Sequence, residues 1–399
     1  MRACCATGGN DPNEPANETM NANPDALPEG VLRRRMAAWL YASAALVFAV
    51  LVVGGATRLT HSGLSIATWQ PLVGVVPPLS ESAWQGLYEQ YRATPEFRLV
   101  NPGMDMDGFR VIFWWEYAHR LLARAAGLAY LLPFLGFLAS GRTRTALPRA
   151  LILRLGAIFL LGGLQGVAGW LMVASGLVDE PRVSAVRLAV HLGLALLLLA
   201  AMLWTAWGMT RAPLPEADGG HAGDRGGATP LRSIAACAVA LVFVMALSGA
   251  MVAGTHAGHT FNTFPLMNGS LVPDGLLLLQ PWYENFRGNL LTVQFVHRAL
   301  ASAVALAVLA FAWSARKLPH GRGAALAMVA LLLLQLGLGI ATLLSVAWLP
   351  LALAHQTGAV LLWIGVLRAA FACNGQRIAY ASAARTAASP MAAASSAAR

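Results

Sequence analysis

The sequence predicts an all-α integral membrane protein: eight transmembrane helices arranged as two parallel-repeat four-helix bundles. Three observations predict it. The 399-residue chain is 57 % hydrophobic and only 12 % charged, whereas a soluble domain carries about 25 % charge; its mean hydropathy is +0.59. Eight runs of about 20 mostly apolar residues, the length that crosses a bilayer, recur along it, and the last four runs echo the first four. There is too little polar surface here to cover a soluble globule, which excludes a cytosolic enzyme, a disordered regulator and a disulfide scaffold.

The elements follow in order. Residues 1–35 are rich in Asn, Pro, Gly and Ala and hold Asp11, Glu14, Glu18, Asp25 and Glu29. They match neither an Arg-rich transit peptide nor a secretory signal, and read as a disordered cytoplasmic tail. Spans at about 36–56, 110–138, 150–173 and 184–208 make an N-terminal half, 36–208. A polar linker, 209–231, precedes spans at about 232–254, 291–313, 324–345 and 349–372, the C-terminal half, 232–372. A second cytoplasmic tail, 373–399, ends the chain.

Charge sets the direction of the spans. Arg33, Arg34 and Arg35 precede the first span; Arg142, Arg144 and Arg149 follow the second. Arg211, Arg225 and Arg232 follow the fourth, Arg316, Lys317 and Arg322 the sixth, and Arg368, Arg377 and Arg385 lie at the end. All fall on one side, which the positive-inside rule makes cytoplasmic. Both termini are then inside a bacterial inner membrane, and the long loops at about 57–109 and 255–290 are outside. The net charge of +10 reads as topology and not as affinity for nucleic acid. Cys4, Cys5, Cys237 and Cys373 have no CxxC spacing and predict neither a disulfide nor a cysteine metal site.

Internal repetition reorganises the reading. Glu116-Tyr117-Ala118-His119-Arg120-Leu121-Leu122-Ala123 is echoed by Gln294-Phe295-Val296-His297-Arg298-Ala299-Leu300-Ala301, and Leu164-Gln165-Gly166-Val167-Ala168-Gly169 by Leu334-Gln335-Leu336-Gly337-Leu338-Gly339. Of nine histidines, His119, His191, His297 and His355 occur once in each even-numbered span. All of these spans run from outside to inside, which puts the four at one depth, roughly 10–15 Å below the outer interface at 1.5 Å per residue. An intramembrane ionisable side chain is costly and marks function by default. One such histidine has packing as a ready alternative; four at matched depth in duplicated positions do not. Paired neutral imidazoles across a gap suit axial ligation of haem iron. Gly162, Gly163, Gly166, Gly169, Gly337 and Gly339 would admit a flat macrocycle or equally allow close helix packing.

The halves differ at one place. Glu116 lies on the face of His119, one turn outward, and its counterpart is Gln294. This asymmetry assigns chemistry to the first half and cofactor holding to the second; the alternative is a structural bridge from Glu116 to a neighbouring arginine. Arg58, Arg120 and Arg298 are candidates for haem propionates or, for Arg120 and Arg298, for loop carbonyls. His61, His256 and His259 sit in the outer loops with their role open, and nothing is read into His221 and His320.

With these residues in hand, the chain resembles the haem A synthase family, in its proteobacterial and mitochondrial-type branch, over roughly residues 36–372. The carrying stretches are Gly54-Gly55-Ala56-Thr57-Arg58-Leu59-Thr60 with Ser62-Gly63-Leu64-Ser65, then Trp69-Gln70-Pro71, Gly74-Val75-Val76-Pro77-Pro78-Leu79 and Thr94-Pro95-Glu96-Phe97. Phe113-Trp114-Trp115-Glu116-Tyr117-Ala118-His119-Arg120 and Asn262-Thr263-Phe264-Pro265-Leu266-Met267-Asn268-Gly269 complete the set. The resemblance implies oxidation of the C8 methyl group of haem O to the formyl group of haem A by successive hydroxylations, the geminal diol losing water. It implies His119 and His191 as ligands of the substrate haem, Glu116 as the carboxylate beside it, and His297 and His355 as axial ligands of a haem b that relays electrons. It further implies haem O synthase as donor and a haem-copper oxidase or its assembly factors as destination; the electron acceptor is unidentified, and a homo-oligomer in lipid is an option the sequence leaves open. The cysteine pair that another branch carries in an outer loop is absent from this sequence.

Two other readings use the same histidines. A quinol-linked dihaem electron-transfer subunit needs all four but not Glu116. A parallel-repeat transporter without cofactor also places matched intramembrane residues at a repeat interface.

Overall fold

A computed structural model describes residues 29–68, 74–177, 183–210, 225–316 and 321–373. In chain order its helices are α1 (Glu29–Leu59), α2 (Glu81–Arg92), α3 (Pro95–Leu99), α4 (Met106–Ala139), α5 (Gly141–Ala146), α6 (Arg149–Ala174) and α7 (Ala185–Thr210). Then come α8 (Arg225–Thr255), α9 (Asn285–Gly288), α10 (Leu290–Ala315), α11 (Gly321–Leu344) and α12 (Leu349–Cys373). Eight of them, α1, α4, α6, α7, α8, α10, α11 and α12, are long and apolar enough to cross a membrane. The protein is an all-α, multi-pass membrane protein.

The helices overrun the apolar windows. Residues 29–35, placed in the tail from sequence, are the opening turns of α1, and residues 225–231, placed in the linker, already belong to α8. Hydropathy finds only the stretch that needs lipid, whereas the i→i−4 bonds continue through the polar residues at the interface. The rest of the expected tails and linker, residues 1–28, 211–224 and 374–399, lies outside the described residues, as does Trp69-Gln70-Pro71.

In the first half α1 packs against α4 and α7, and α6 packs against α7 and, more sparsely, α4. The four make a ring in which α4 and α7 are diagonal partners. In the second half α8 packs against α10 and α12, while α11 packs against both α10 and α12, which makes α10 and α12 the diagonal pair. The halves meet through α7 on α8 and α12 on α1. Gln356 Nε2 crosses this boundary to Leu51 O at 2.8 Å. Gly254 lets α8 approach α7: a Cβ there would stand 2.6 Å from Ala185.

Leu40, Leu155, Leu196, Leu199, Val308 and Phe311 are fully buried between helices, while Leu128, Leu132, Leu153, Leu160, Leu306 and Leu326 face outward. Such a surface is at home in lipid, where apolar burial no longer holds helices together and close packing and hydrogen bonds do. Trp39 Nε1 donating to Ala129 O at 3.0 Å and Tyr130 Oη donating to Leu155 O at 2.9 Å are bonds of this kind.

The stretch 57–109, read from sequence only as a loop, contains a helical cap. Ser80 Oγ accepts from Ala83 N to start α2, and Thr94 Oγ1 accepts from Phe97 N to start α3, each satisfying an N–H that the first helical turn leaves without a partner. Trp84, Leu87, Tyr88 and Tyr91 line one face of α2 and pack on Phe109, Phe113 and Tyr117 of α4. Tyr91 and Phe109 are wholly buried, their rings 5.2 Å apart. The corresponding stretch of the second half, 256–289, has only 3₁₀ turns and the four-residue α9.

Candidate functional site: two intramembrane imidazole pairs

Each predicted histidine sits on a diagonal helix: His119 on α4, His191 on α7, His297 on α10 and His355 on α12. His119 lies within electrostatic reach of His191, and His297 within reach of His355. The flanking helices meet these rings with glycine. A Cβ on Gly54 of α1 would stand 2.7 Å from His119 Nε2, and one on Gly169 of α6 would stand 2.8 Å from His191 Cε1. In the second half Gly249 of α8 faces His297 Cε1 at 3.3 Å, and Gly339 of α11 faces His355 Cε1 at 2.9 Å. Of the glycines singled out from sequence, only Gly169 and Gly339 touch an imidazole. Gly163, Gly166 and Gly337 open onto unfilled space, and Gly162 has no neighbour closer than 4.0 Å.

Polar neighbours of the rings differ between the halves. Ser248 Oγ lies 2.7 Å from His297 Nδ1, and the Gln335 amide nitrogen lies 3.1 Å from His355 Nδ1. In the first half the Gln165 amide nitrogen lies 3.4 Å from Nε2 of His191, whose Nδ1 is buried without a partner. Among the described residues the His119 ring makes no hydrogen bond. The sequence reading missed Ser248, Gln165 and Gln335 as neighbours of the imidazoles, although the repeated Leu-Gln motif held the signal for the two glutamines.

Glu116 is 2 % exposed and fully engaged. Its Oε2 accepts from Ser65 Oγ at 2.7 Å and Ile66 N at 2.8 Å; its Oε1 accepts from Arg120 Nε at 3.0 Å and Nη2 at 2.6 Å. Arg120 also donates to Ile66 O and Thr68 O. The second half keeps the frame and reverses the polarity. Gln294 Nε2 donates to Ala257 O at 3.0 Å and Thr260 O at 2.6 Å, while Arg298 donates to Phe261 O, Thr263 O and Gln294 Oε1. Arg120 and Arg298 thus tie the loops that follow α1 and α8, and the bridge from Glu116 to an arginine is present.

On the long-loop side, Arg58 Nη2 donates to Ala253 O at 2.7 Å and lies 3.2 Å from His256 Nε2, which joins the end of α1 to the end of α8. His61 and His256, both at positive φ, stack with ring centroids 5.4 Å apart, and His259 lies 6.0 Å from His256. Glu96, 4 % exposed on α3, feels the charge of Arg58; burial pushes its carboxyl up to about 7. Burial, with Arg58 and His259 nearby, holds the His61 imidazole below its ordinary value.

These features fit a haem in each half. Two imidazoles within reach of one another are an axial donor set, the glycines leave the room a Cβ would fill, and among the described residues Arg58 Nε and Arg298 Nε are buried donors without partners, suited to carboxylates. Among the described residues no group of three or more His, Cys, Asp and Glu is placed to hold a bare metal ion; two histidines suffice when a porphyrin supplies the other ligands.

Fold and site together define a polytopic membrane protein with two pairs of half-buried intramembrane imidazoles. The chain belongs to the cytochrome oxidase assembly protein family, whose model matches residues 37–367. Its relatives carry a more specific name. A protein of Nitrosospira multiformis named heme A synthase is 49 % identical over 339 residues, 84 % of this chain and 92 % of its own length. Heme A synthases of Nitrosomonas eutropha (47 %; 87 % of this chain, 96 % of the relative) and Rhodospirillum centenum (44 %; 86 % and 90 %) align over comparable lengths.

Proposed function

We propose that this chain is a haem A synthase that oxidises the C8 methyl group of haem O to a formyl group, for use in cytochrome oxidase assembly. The observation that carries this reading is the asymmetry of two similar frames: a buried carboxylate one turn from the histidine in one half and an amide in the other. Residues 36–208 take the substrate haem between His119 and His191, and residues 232–372 hold a haem b between His297 and His355. The bound haem b supplies an iron centre that passes electrons onward.

The chain's own residues do the rest. Glu116, with Arg120, Ser65 and the Ile66 amide on its oxygens, is held in place as one half of an ion pair. Preorganised charge of this kind stabilises positive charge developing on a neighbouring substrate. Arg58, Arg120 and Arg298 are the cations for the propionates; the Nε atoms of Arg58 and Arg298 are the donors not already committed. The bilayer is a bacterial inner membrane with both termini cytoplasmic. Haem O synthase is the supplier, and a haem-copper oxidase or its assembly factors the recipient.

A dihaem electron-transfer subunit without chemistry on the haem gains no support, since the relatives bear the name of a synthase. Extraction and mass analysis of pigment from cells carrying wild type or Glu116→Ala test the proposal. Haem A should accumulate with wild type and be replaced by haem O with the variant. Normal haem A from Glu116→Ala would remove the carboxylate from the chemistry, and a colourless wild-type protein would remove haem altogether.

A further inference from the structure

The two histidines that face α1 and α8 are held differently, and a single residue accounts for it. Ser248 immediately precedes Gly249, the glycine against His297; Val53 immediately precedes Gly54, the glycine against His119. The Ser248 hydroxyl lies 3.1 Å from Met245 O, to which it donates, and 2.7 Å from His297 Nδ1. In the arrangement in which that one hydrogen goes to the carbonyl, the oxygen accepts from the imidazole, Nδ1 carries the proton of a neutral ring, and the lone pair is left on Nε2. Val53 has no hydroxyl, and among the described residues no side chain hydrogen-bonds the His119 ring in its place.

We infer that Ser248 is a positioning residue that fixes His297 as an Nε2 ligand and so makes the second-half haem resident, while Val53 leaves His119 unfixed and the first-half haem exchangeable. The inference rests on the reading of two haem sites given above. It deepens that reading by naming what separates a cofactor pocket from a substrate pocket. A product must leave, so an axial ligand without a fixed tautomer and orientation suits the first half. A relay must stay, so a locked ligand suits the second. Partners of this type on metal-bound histidine change affinity by about 10–100-fold.

The test uses the full-length protein purified with its haem. Transfer of haem to excess apomyoglobin is timed for wild type, Ser248→Ala, Ser248→Thr and Val53→Ser, with reduced spectra recorded throughout. Ser248→Ala should lose protohaem at least about ten-fold faster than wild type, and Ser248→Thr, which keeps a hydroxyl, should restore slow loss. Val53→Ser should retain haem O or haem A in the first half that wild type gives up. Equal rates and spectra for haem-loaded wild type and Ser248→Ala would overturn the role of Ser248. Unchanged release from Val53→Ser would overturn the account of the first half. A wild-type protein that carries no protohaem would instead sink the parent reading, so the two failures are told apart.

Discussion

The two halves of this molecule use one frame for opposite ends. In each, a residue one turn before the histidine and an arginine one residue after it reach back to the loop that follows the half's first helix. In the first half that loop donates, through Ser65 and the Ile66 amide, to a carboxylate. In the second it accepts, through Ala257 O and Thr260 O, from an amide. A change of Glu to Gln is thus not a loss of charge alone; the loop has turned its dipoles round to suit. A helical cap over the first half, and sparser packing of α4 on α6 than of α10 on α11, separate the halves further. A few polar atoms thus distinguish the two frames, and on the proposed reading they divide the labour.

The largest expected effect comes from breaking this difference at its centre. Glu116→Ala should lower haem A formation by about 100-fold or more, the scale for removing a preorganised charge from a reacting site, whereas Gln294→Ala should leave most of it. Gln294→Glu should be worse than Gln294→Ala, because a carboxylate there would face two carbonyl oxygens. The haem A to haem O ratio in extracted pigment reads all three.

Next come the glycines. Gly169→Ala sets a methyl 2.8 Å from His191, and Gly339→Ala sets one 2.9 Å from His355. Overpacking of this kind costs about 1–3 kcal/mol, and occupancy should fall by roughly ten-fold for each 1.4 kcal/mol. Gly339→Ala should remove the protohaem spectrum, while Gly169→Ala should spare that spectrum and stop haem A formation. Identical phenotypes would mean the halves are not divided as proposed.

A smaller effect is confined to the capped half. The Glu96 carboxyl, pushed up to about 7 from an ordinary 4.5, stays neutral in the folded chain where the unfolded chain has ionised. Its contribution to stability therefore falls as pH rises from about 4.5 through 7. His61, held below 6.5, acts in the other direction and costs stability as pH falls beneath that value. Below pH 6.5 the two slopes oppose one another, and from there to about pH 7 the Glu96 slope alone lowers the melting temperature of wild type. Glu96→Gln should melt at a temperature that rises with pH and then levels, with Arg58, His256 and His259 still facing His61.

Much of this was legible in the sequence because membrane insertion and duplication leave strong marks. Eight apolar runs, one histidine in each even-numbered span, and Glu116 against Gln294 are all read without tertiary information. What was not legible depends on direction. No spacing rule shows that Ser248 Oγ falls on Nδ1 of His297, or that Gly54 and Gly249, outside the Leu-Gln repeats, cover the rings of the facing helices. Arg120 and Arg298 remained ambiguous because a helix position says where a guanidinium starts and not which carbonyl it meets. The helix α2 was within reach: Trp84, Leu87, Tyr88 and Tyr91 follow the i, i+3, i+4, i+7 pattern, but a search for spans passes over a helix of 12 residues.

The smallest predicted effect concerns the seam between the halves. Gln356 Nε2 donates to Leu51 O, and its side chain occupies the space a Cβ on Gly55 would need, so α12 can approach α1 only where Gly55 is bare. Gln356→Ala removes one half-buried hydrogen bond across the boundary, worth about 1 kcal/mol. Leu51 keeps its intrahelical bond, which limits the loss. Melting of the purified protein should drop slightly and remain a single transition if the halves unfold together. If the seam is the weak point that joins two self-sufficient bundles, the variant should instead melt in two steps, with protohaem released in only one of them. Following the protohaem spectrum and tryptophan fluorescence in one thermal scan separates these outcomes.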